Sequence, residues 1–549
     1  MKIQGFGLYE KNEICVILSK NGIYIALYIY RRQKKVIIID IYFIKVGKVI
    51  IKKREKGKSM SNQNNNLERQ TFAKTLGRGE IWAFAFGSVV GWGWVMLAGG
   101  WVTSAGTLGA IVAFVIAGLV CCSIGMAFAE LCPMIPQTGG VLVFAYRAGG
   151  YKFGWFAAWA MAFAYVAVAC WEGPAFGTAV EYLFPSLTEN ATVLYSLQGY
   201  DLTLPWVLIA AAGTIFTIIC NYIGMSFAKI VNTIAALALV AGGLIFFFGG
   251  VTLGDFSNAQ PMFQDGFSGV FIVLMAAPAM FVGFDVIPQS VEDMKIPMKQ
   301  VGSMVILAIV LGAIWYILMI LGSAFGAPAA FRESATIPVA DIASYVMGSK
   351  IFGSFVIIAG IGGILTSWNA MYIGATRIIF AMARAKMLPP VFGKLHPKYN
   401  SPTAALLLVG ALGLASIFLG SNALGWFVDA SSFGTVVAYF CAAIAFYKLK
   451  NDEPDTPRPF KAPLGKFMAV IAIVCSGLFI CIYLPFSPSG GLGGMEWIMV
   501  GLWTVIGIIL AIAVKNSSYA KITKAEREYL IFGEEYARKE IVGEEKAEA

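Results

Sequence analysis

Long apolar runs recur along most of this 549-residue chain. A helix needs about 20 predominantly apolar residues to cross the hydrocarbon core of a bilayer, and the sequence contains twelve runs of that kind. Only 13% of the residues are charged, about half the share found in a typical soluble domain. The sequence therefore predicts an all-α polytopic membrane protein with twelve transmembrane helices, numbered S1 to S12. Their predicted bounds are 81–101, 107–131, 152–180, 204–222, 227–250, 268–290, 301–323, 351–382, 403–419, 424–447, 467–485 and 495–514.

Lysine and arginine are distributed unevenly between the predicted loops. They precede S1 and lie in the loops after S2, S6, S8 and S10, and Lys229 opens S5. Four of the alternate loops contain neither residue, and they are 181–203, 251–267, 420–423 and 486–494. Because short cytoplasmic loops carry the excess of positive charge, we expect a multi-pass plasma-membrane protein with both termini in the cytoplasm. The lysines and arginines behind the net charge of +10 are then explained by the orientation of the spans in the membrane. We therefore expect no nucleic-acid partner.

Helix-breaking residues interrupt two of the predicted spans. S1 contains GSVVGWGWVMLAGG from Gly87, and S6 contains MAAPAMFVGFDVIPQS from Met275. Backbone freed from helical pairing survives at membrane depth only where it lines a cavity or is buried in protein. Two broken helices in corresponding positions indicate a transporter built from inverted repeats. We therefore expect a first repeat over 81–250, a second over 268–447, and two further spans over 467–514. Close packing of helices on small residues is the alternative, and we favour it for Gly99 and Gly100.

Six motifs occur in a fixed order along the chain. They are GSVVGWGW from Gly87, FAELCPMIPQTGGVLVFAYRAGG from Phe128, FVGFDVIPQSVEDMKIPMKQVG from Phe281, SWNAMYIGATRIIFAMARAKMLPPVFGKLHPKYNSP from Ser367, VDASSFGTVVAY from Val428 and RPFKAP from Arg458. Over about residues 75–515 the chain resembles the amino acid–polyamine–organocation (APC) superfamily of secondary transporters. The resemblance implies a leucine-transporter-like fold, a 5+5 inverted repeat with broken helices 1 and 6. It also implies alternating access for an amino acid or a related amine.

The resemblance also implies a binding site at the two breaks. Exposed N–H groups around Gly91 and Gly93 would bind a substrate carboxylate, and S6 would supply the opposite wall. The predicted substrate-binding residues are Ser88, Gly91, Trp92, Gly93, Phe281, Gly283, Phe284 and Asp285. The family usually has a small residue between the two glycines, where this chain has Trp92. The indole either shapes the pocket, for instance by stacking on a cationic ligand, or packs against another span.

Two acidic residues lie within predicted spans. An acid at membrane depth is costly unless it is paired or hydrated, so it is a functional candidate. For Asp285 a proton relay, a gate, an amine contact and a structural hydrogen bond all remain open. Glu172 is either a ligand for a substrate ammonium group or an acid at the outer interface, and we favour the interface. With Trp92, these acids favour amines or unusual amino acids over ordinary neutral ones.

The sequence is compatible with coupling to sodium, coupling to protons, or simple exchange. Residues 230–250 contain no ionisable group, whereas some family members are thought to place a lysine in S5. A sodium ion prefers oxygen ligands, and the candidate set is Ser88, Gly91, Thr366 and Ser367. Proton coupling through Asp285 or Glu172 and simple exchange are the alternatives.

Catalytic and metal-binding patterns are scarce. The nine cysteines and the one histidine, His396, form no metal-site spacing. The sequence also lacks a Ser/His or Cys/His set for nucleophilic catalysis, so we predict neither an enzyme nor a resident metal cofactor. The expected function is a secondary transporter whose partners are membrane lipid and a small-molecule substrate. A channel or a transporter-like sensor is the alternative class; substrate and oligomeric state stay open.

The two ends of the chain differ from its apolar centre. Residues 1–59 are rich in Ile, Lys and Tyr, and charges interrupt their apolar stretches. We interpret them as a translated upstream extension, with Met60 as the true start. Residues 60–80 are then a polar cytoplasmic leader, and 515–549 form a charged cytoplasmic tail that we expect to be a solvated helix.

Overall fold

The computed structural model describes residues 69–72, 74, 76–197 and 199–533, together with the backbone of four strands near the N-terminus. The chain divides into two compact units, Met1–Arg69 and Gln70–Ala549. In the first unit the four strands form an antiparallel sheet in chain order, and they are Lys2–Tyr9, Glu13–Lys20, Ile23–Tyr30 and Val36–Ile38. The predictions of an upstream extension and a start at Met60 lie outside the described residues.

The second unit is built from apolar helices. In the described ranges nine helices are long and apolar enough to cross a membrane, a tenth is added if a bent pair counts as one span, and two more are shorter. The helices at the predicted spans are, in order, Arg78–Val89 with Gly93–Ala105, Thr107–Met134, Val141–Leu183, Leu204–Ile223, Met225–Leu253, Phe267–Phe281 with Val286–Gln289, Met298–Gly326, Lys350–Arg384, Thr403–Ser416, Leu424–Asp452, Lys466–Ile482 and Gly494–Lys515. Each predicted span therefore coincides with an apolar helix.

Some predicted loops contain structure of their own. The loop before S8 holds two short helices, Ala329–Ser334 and Pro338–Val346. The loop before S4 contains an antiparallel hairpin of Val193–Leu197 and Tyr200–Thr203. These elements are too short to produce a membrane-length apolar run, which is why the hydropathy pattern does not reveal them.

The break in S1 is bonded to another span. Its two helices end at Val89 and begin at Gly93, and their axes differ by 41°. The Tyr316 hydroxyl of S7 donates to the Val89 carbonyl oxygen at 2.9 Å. A side chain thereby satisfies a polar backbone group that lipid could not.

Side chains from other spans also bond to backbone groups of the S6 helix next to Pro278. The Tyr483 hydroxyl, just after S11, donates to the Met275 carbonyl oxygen at 2.7 Å. The Ala279 N–H donates to Ser432 Oγ of S10 at 3.0 Å. In a regular helix Ala279 would bond to Met275 itself, so two side chains replace one backbone hydrogen bond.

A buried carboxylate ties S2 to the segment between S10 and S11. Glu130 lies 2.8 Å from Lys450 Nζ and 2.8 Å from Arg458 Nε, and it accepts the Ala462 N–H at 2.7 Å. Two of the motifs found in the sequence, that around Glu130 and that around Arg458, therefore meet in space.

We predict that Glu130→Ala strongly destabilises the protein. The substitution leaves Lys450 and Arg458 without their buried counter-charge, and breaking a buried ion pair from one side costs about 3–5 kcal/mol. The midpoint of thermal unfolding in detergent should fall well below that of the wild type. Glu189→Ala, at an exposed loop position, is the control and should leave the midpoint unchanged. Equal midpoints for the two variants would contradict the prediction.

The arginine of the loop between S7 and S8 is a structural anchor. Arg332 is buried, and its Nη1 donates to the carbonyl oxygens of Asn258, Ala324 and Ala327 at 2.9, 3.1 and 2.6 Å. These hydrogen bonds hold the loop to the end of S7. Arg332 therefore has a structural role, which explains why a cation occurs in a loop that is predicted to lie outside the cell.

The described part of the tail is packed, which differs from the expected solvated helix. The helix Lys524–Phe532 buries Leu530, Ile531 and Phe532. Phe532 meets the Tyr146 ring at 6.0 Å between centroids, and Arg527 Nε donates to the Ala385 carbonyl oxygen at 3.1 Å. This part of the tail therefore contacts the helix that leads into S3 and the end of S8.

Candidate functional site

A small cavity lies where the two broken spans meet S3, S7 and S8. Its volume is about 10 Å³, which is room for about one water molecule. Its principal lining residues are Ser88, Gly91 and Gly93 of S1, Trp171 and Glu172 of S3, Met280 of S6, Tyr316 of S7, and Ser367 and Met371 of S8. The structure thus brings the S1 residues of the predicted site together with Glu172 and Ser367.

The S1 glycines permit a close approach to this cavity. A Cβ atom at Gly91 would lie 2.7 Å from Ser367 Oγ and 3.3 Å from Glu172 Oε1. A Cβ atom at Gly93 would collide with the Met280 thioether. Among the described residues the N–H groups of Gly91, Trp92 and Gly93 donate no hydrogen bond. The break therefore presents backbone donors beside the cavity.

Glu172 lies in the cavity wall, not at the outer interface that we favoured. The side chain is fully buried, and its Oε1 accepts a hydrogen bond from the Ser367 hydroxyl. Its Oε2 has no hydrogen-bond partner in the described ranges. The helix continues eleven residues to Leu183, about 16 Å at 1.5 Å per residue. That distance keeps Glu172 inside the protein.

Asp285 forms part of a buried junction and does not line the cavity. It accepts hydrogen bonds from the Tyr165 hydroxyl of S3, from the Tyr439 hydroxyl of S10 at 3.0 Å, and from the Gly283 N–H at 2.9 Å. These bonds hold the S6 break against two other spans. Of the roles left open for Asp285, the structure displays the structural hydrogen bond.

The other predicted S6 residues pack around this junction. Phe281 contacts the rings of Phe114 and Tyr316, with centroids 6.3 and 6.2 Å away. Phe284 contacts Phe128 and Tyr439 at 5.6 and 5.2 Å. Both phenylalanines are fully buried and lie outside the cavity lining.

Trp92 points away from the cavity. Its indole lies against S8, where a Cβ atom at Gly360 would be 2.5 Å from the Trp92 ring. The side chain is buried and is absent from the cavity lining. This is the packing alternative, and it removes the pocket-shaping role that the substitution suggested.

We predict that Trp92→Phe lowers stability without changing substrate choice. The smaller ring leaves a gap against Gly360, at a cost on the order of 1 kcal/mol. Relative uptake of two competing substrates should stay at the wild-type ratio. Trp171→Phe is the matched comparison and should change that ratio, because Trp171 lines the cavity. A changed ratio in Trp92→Phe alone would contradict this assignment.

The candidate sodium ligands lie on the facing surfaces of S1 and S8. Ser88 and Gly91 line the cavity with Ser367, whereas Thr366 faces Gly87. The Thr366 hydroxyl donates to the Gly363 carbonyl oxygen at 2.9 Å, and Ser367 Oγ, whose proton is directed at Glu172, lies 3.0 Å from the same oxygen. Their hydroxyl oxygens keep free lone pairs, so these residues still offer oxygen ligands.

An ion-pair cluster joins the end of S6 to S8 on the predicted cytoplasmic side. Arg377 pairs with Asp293, and Arg384 lies 3.4 Å from Glu292. The Arg377 guanidinium also stacks over Phe72, 4.5 Å from the ring centroid. Burial raises the pKa of the Asp293 carboxyl, and the neighbouring Arg377 opposes that effect. The two arginines therefore hold the end of S6 and Phe72 to S8.

Sequence reasoning missed three tyrosines that complete the site. Tyr165, Tyr316 and Tyr439 are fully buried, and each hydroxyl is hydrogen-bonded to a broken span or to Asp285. A buried tyrosine hydroxyl usually has a hydrogen-bond partner. Tyrosine within an apolar span is thus the signal that pointed to these contacts.

Comparison with known proteins gives a consistent result. The sequence profile of the family described as amino acid permease matches residues 76–513. The methylthioribose transporter of Bacillus subtilis (strain 168) is 25% identical over 472 residues, which cover 82% of this chain and 96% of that protein. The branched-chain amino acid permease BcaP of the same organism is 25% identical, covering 80% and 93%. Its aspartate-proton symporter is also 25% identical, covering 73% and 76%.

Proposed function

Since the chain belongs to the amino acid permease family, a family within the APC superfamily that it was found to resemble, we propose that it is a secondary transporter of an amino acid or a related small amine. The protein is an integral membrane protein, as its apolar helices and its family indicate. The finer proposal is a carrier that works by alternating access, with twelve spans and a 5+5 inverted repeat.

One observation supports the binding site above all others. Glu172 Oε2 is buried in the cavity wall without a hydrogen-bond partner in the described part of the chain, next to the free backbone donors of the S1 break. A buried charged acceptor left unpaired is costly, and a substrate ammonium group would satisfy it. The N–H groups of Gly91 and Gly93 would bind the carboxylate of the same molecule. The cavity thus carries complementary groups for both ends of an amino acid.

The size of the cavity supports alternating access. A volume of about 10 Å³ holds about one water molecule, and an amino acid is several times larger. Met280 fills the space beside Gly93. Substrate entry therefore requires the halves of S1 and S6 to move relative to S3 and S8. This movement would open the binding site to one side of the membrane at a time.

The lining favours a substrate with a small apolar side chain. Met280, Met371 and Val168 provide apolar surface around the two polar recognition groups. The names of the relatives cover branched-chain amino acids, aspartate and methylthioribose, so similarity alone does not select a substrate. The earlier preference for unusual amines rested partly on Trp92, which packs elsewhere.

Coupling to a proton through Glu172 is the mode that we propose. The Asp285 carboxylate accepts three hydrogen bonds, whereas the Glu172 carboxylate accepts one and has an oxygen without a hydrogen-bond partner in the described ranges. The free oxygen is able to hold a proton when substrate is absent. Coupling to Na⁺ at Ser88, Gly91, Thr366 and Ser367 is the second candidate, supported by the oxygen atoms that S1 and S8 bring together.

The test is uptake into proteoliposomes. A thermal-shift screen of amino acids and small amines selects the ligand, because binding raises the unfolding midpoint. Counterflow of that labelled ligand against unlabelled ligand tests for a carrier, and its uptake under an imposed pH gradient or an imposed Na⁺ gradient identifies the coupling. Saturable counterflow, together with uptake driven by the pH gradient, is the expected result. Binding without any counterflow would overturn transport in favour of a sensor, and Na⁺-driven uptake would overturn the proton assignment.

A further inference from the structure

A second cavity lies at the ends of S10 and S11, remote from the residues of the proposed substrate site. It has a volume of about 400 Å³ and opens at the predicted cytoplasmic surface. Its lining is strongly basic, with Lys450, Arg458, Lys461 and Lys466 against the single acid Asp455. Such a concentration of cations indicates a site for an anion.

The charges within the cavity do not balance. Glu130 neutralises part of the charge of Lys450 and Arg458, with which it is in contact. Lys461 and Lys466 are exposed, and neither forms an ion pair within the ranges that the structure describes. Even after Glu130 and Asp455 are counted, two positive charges remain unbalanced at the mouth of the cavity.

The positive end of the S11 helix dipole lies at the same place. The S11 helix has 17 residues and begins at Lys466, and its N-cap Gly465 provides no side-chain hydrogen bond. The first N–H groups of a helix lack intrahelical partners, and the helix dipole favours an anion there. Gly465 and Lys466 both line the cavity. The Phe467 N–H already donates to the Leu464 carbonyl oxygen at 3.1 Å, so the contribution of this helix end is chiefly its dipole, which reinforces the lysines.

Apolar side chains continue outward from the basic cavity. Leu464 and Phe467, which flank Gly465 and Lys466, are 65% and 63% exposed. The exposed stripe continues along S11 through Val470, Val474 and Leu478. This spacing of three and four residues forms one face of a helix. A ligand that fits has an anionic head in the cavity and a hydrocarbon tail along the stripe.

We propose that this cavity binds the phosphate group of an anionic phospholipid from the cytoplasmic leaflet. Basic pockets between transmembrane helices on the cytoplasmic side are suited to lipid head groups. A free phosphate ion shares the chemistry of the head group, but it has no hydrocarbon chain to contact the apolar stripe. The lipid would contact Lys450 and Arg458, whose ion pairs with Glu130 hold S2 to the S10–S11 segment, and it would therefore stabilise that junction.

The proposal is tested with the full chain in detergent. Dioctanoyl phosphatidylglycerol is the probe, with dioctanoyl phosphatidylcholine and inorganic phosphate as separate arms. The phosphatidylglycerol should raise the unfolding midpoint, and the other two should not. Lys461→Ala with Lys466→Ala should weaken that response about tenfold in lipid concentration, because each basic residue near an anionic surface contributes on the order of a factor of several. Lys394→Ala with Lys398→Ala, at exposed positions of another loop, is the control and should respond like the wild type.

Each alternative outcome has a definite meaning. An unchanged response in the Lys461/Lys466 variant overturns the site. An equal shift with inorganic phosphate overturns the lipid assignment, and an equal shift with phosphatidylcholine overturns the role of the anionic head group. Because both lysines are exposed, the double variant should unfold at the wild-type temperature without lipid. The substrate-induced shift should also persist, which separates failure of this proposal from failure of the transport proposal.

Discussion

Replacing Glu172 by Gln should strongly weaken substrate binding while leaving the protein folded. The variant keeps the size of the side chain and an oxygen that accepts the Ser367 hydroxyl hydrogen bond. It loses the negative charge that the proposed ammonium group requires. Hydrogen bonds to charged groups contribute about 1.5–3 kcal/mol, which corresponds to a loss of affinity of roughly 10- to 150-fold. The measurement is the ligand concentration that gives half of the maximal thermal shift, followed by uptake at saturating substrate.

A control on the same helix separates charge from structure. Glu181 accepts a hydrogen bond from Tyr200 at 3.2 Å, away from the cavity. Glu181→Gln should bind and transport like the wild type. The unfolding midpoint of Glu172→Gln without ligand should equal or exceed the wild-type value, since a neutral amide of the same size replaces a buried ionisable group. Wild-type affinity in Glu172→Gln would refute the ammonium site, and retained pH-driven uptake would refute the proton role.

Gly283→Ala should strongly destabilise the folded state. The residue has φ of 137°, a conformation that side-chain-bearing residues rarely adopt. A Cβ atom there would collide with the Ser88 carbonyl group and lie 2.7 Å from the Val89 nitrogen. Neither neighbour is able to rotate aside, because both are backbone atoms. Strain and overpacking each cost about 1–3 kcal/mol, so we expect loss of stability by about 3 kcal/mol or more and loss of uptake.

Gly100→Ala is the matched substitution in the other broken span. No atom lies within 4 Å of a Cβ placed at Gly100, so the residue does not serve the close packing that we expected for it. Gly99, in contrast, lies against Pro338. Gly100→Ala should leave uptake unchanged and stabilise the helix by up to about 1 kcal/mol. Both variants are compared with the wild type by thermal unfolding and by counterflow. A Gly283→Ala protein that unfolds and transports like the wild type would contradict the predicted strain at this position.

The positions of the spans were largely predictable because they depend on local properties. S2 was expected to begin at 107 and S4 at 204, and the helices begin at Thr107 and Leu204. Apolar length defines a span almost irrespective of its neighbours. The interruptions in S1 and S6 were likewise signalled by glycine and proline, whose effect on the backbone is local.

The directions of side chains could not be predicted in the same way. S3 is apolar on nearly all sides, so its sequence pattern does not predict which neighbouring helix the Glu172 side chain faces. Trp92 could face either the cavity or S8, and only the position of Gly360 decides between them. The three donors around Asp285 come from S3, S10 and the S6 break itself. These contacts depend on how distant helices pack, which the pattern of a single sequence does not reveal.

The hydrogen bond between Tyr316 and Val89 also has a consequence for the order of biosynthesis. The two residues are 227 positions apart, so the S1 carbonyl leaves the ribosome long before its partner is made. Unpaired backbone groups are not tolerated in contact with lipid. We therefore expect S1 to remain in a protected or hydrated environment, such as the insertion channel, until S7 has been synthesised. Membrane insertion of this chain should accordingly become complete late, when both halves are present.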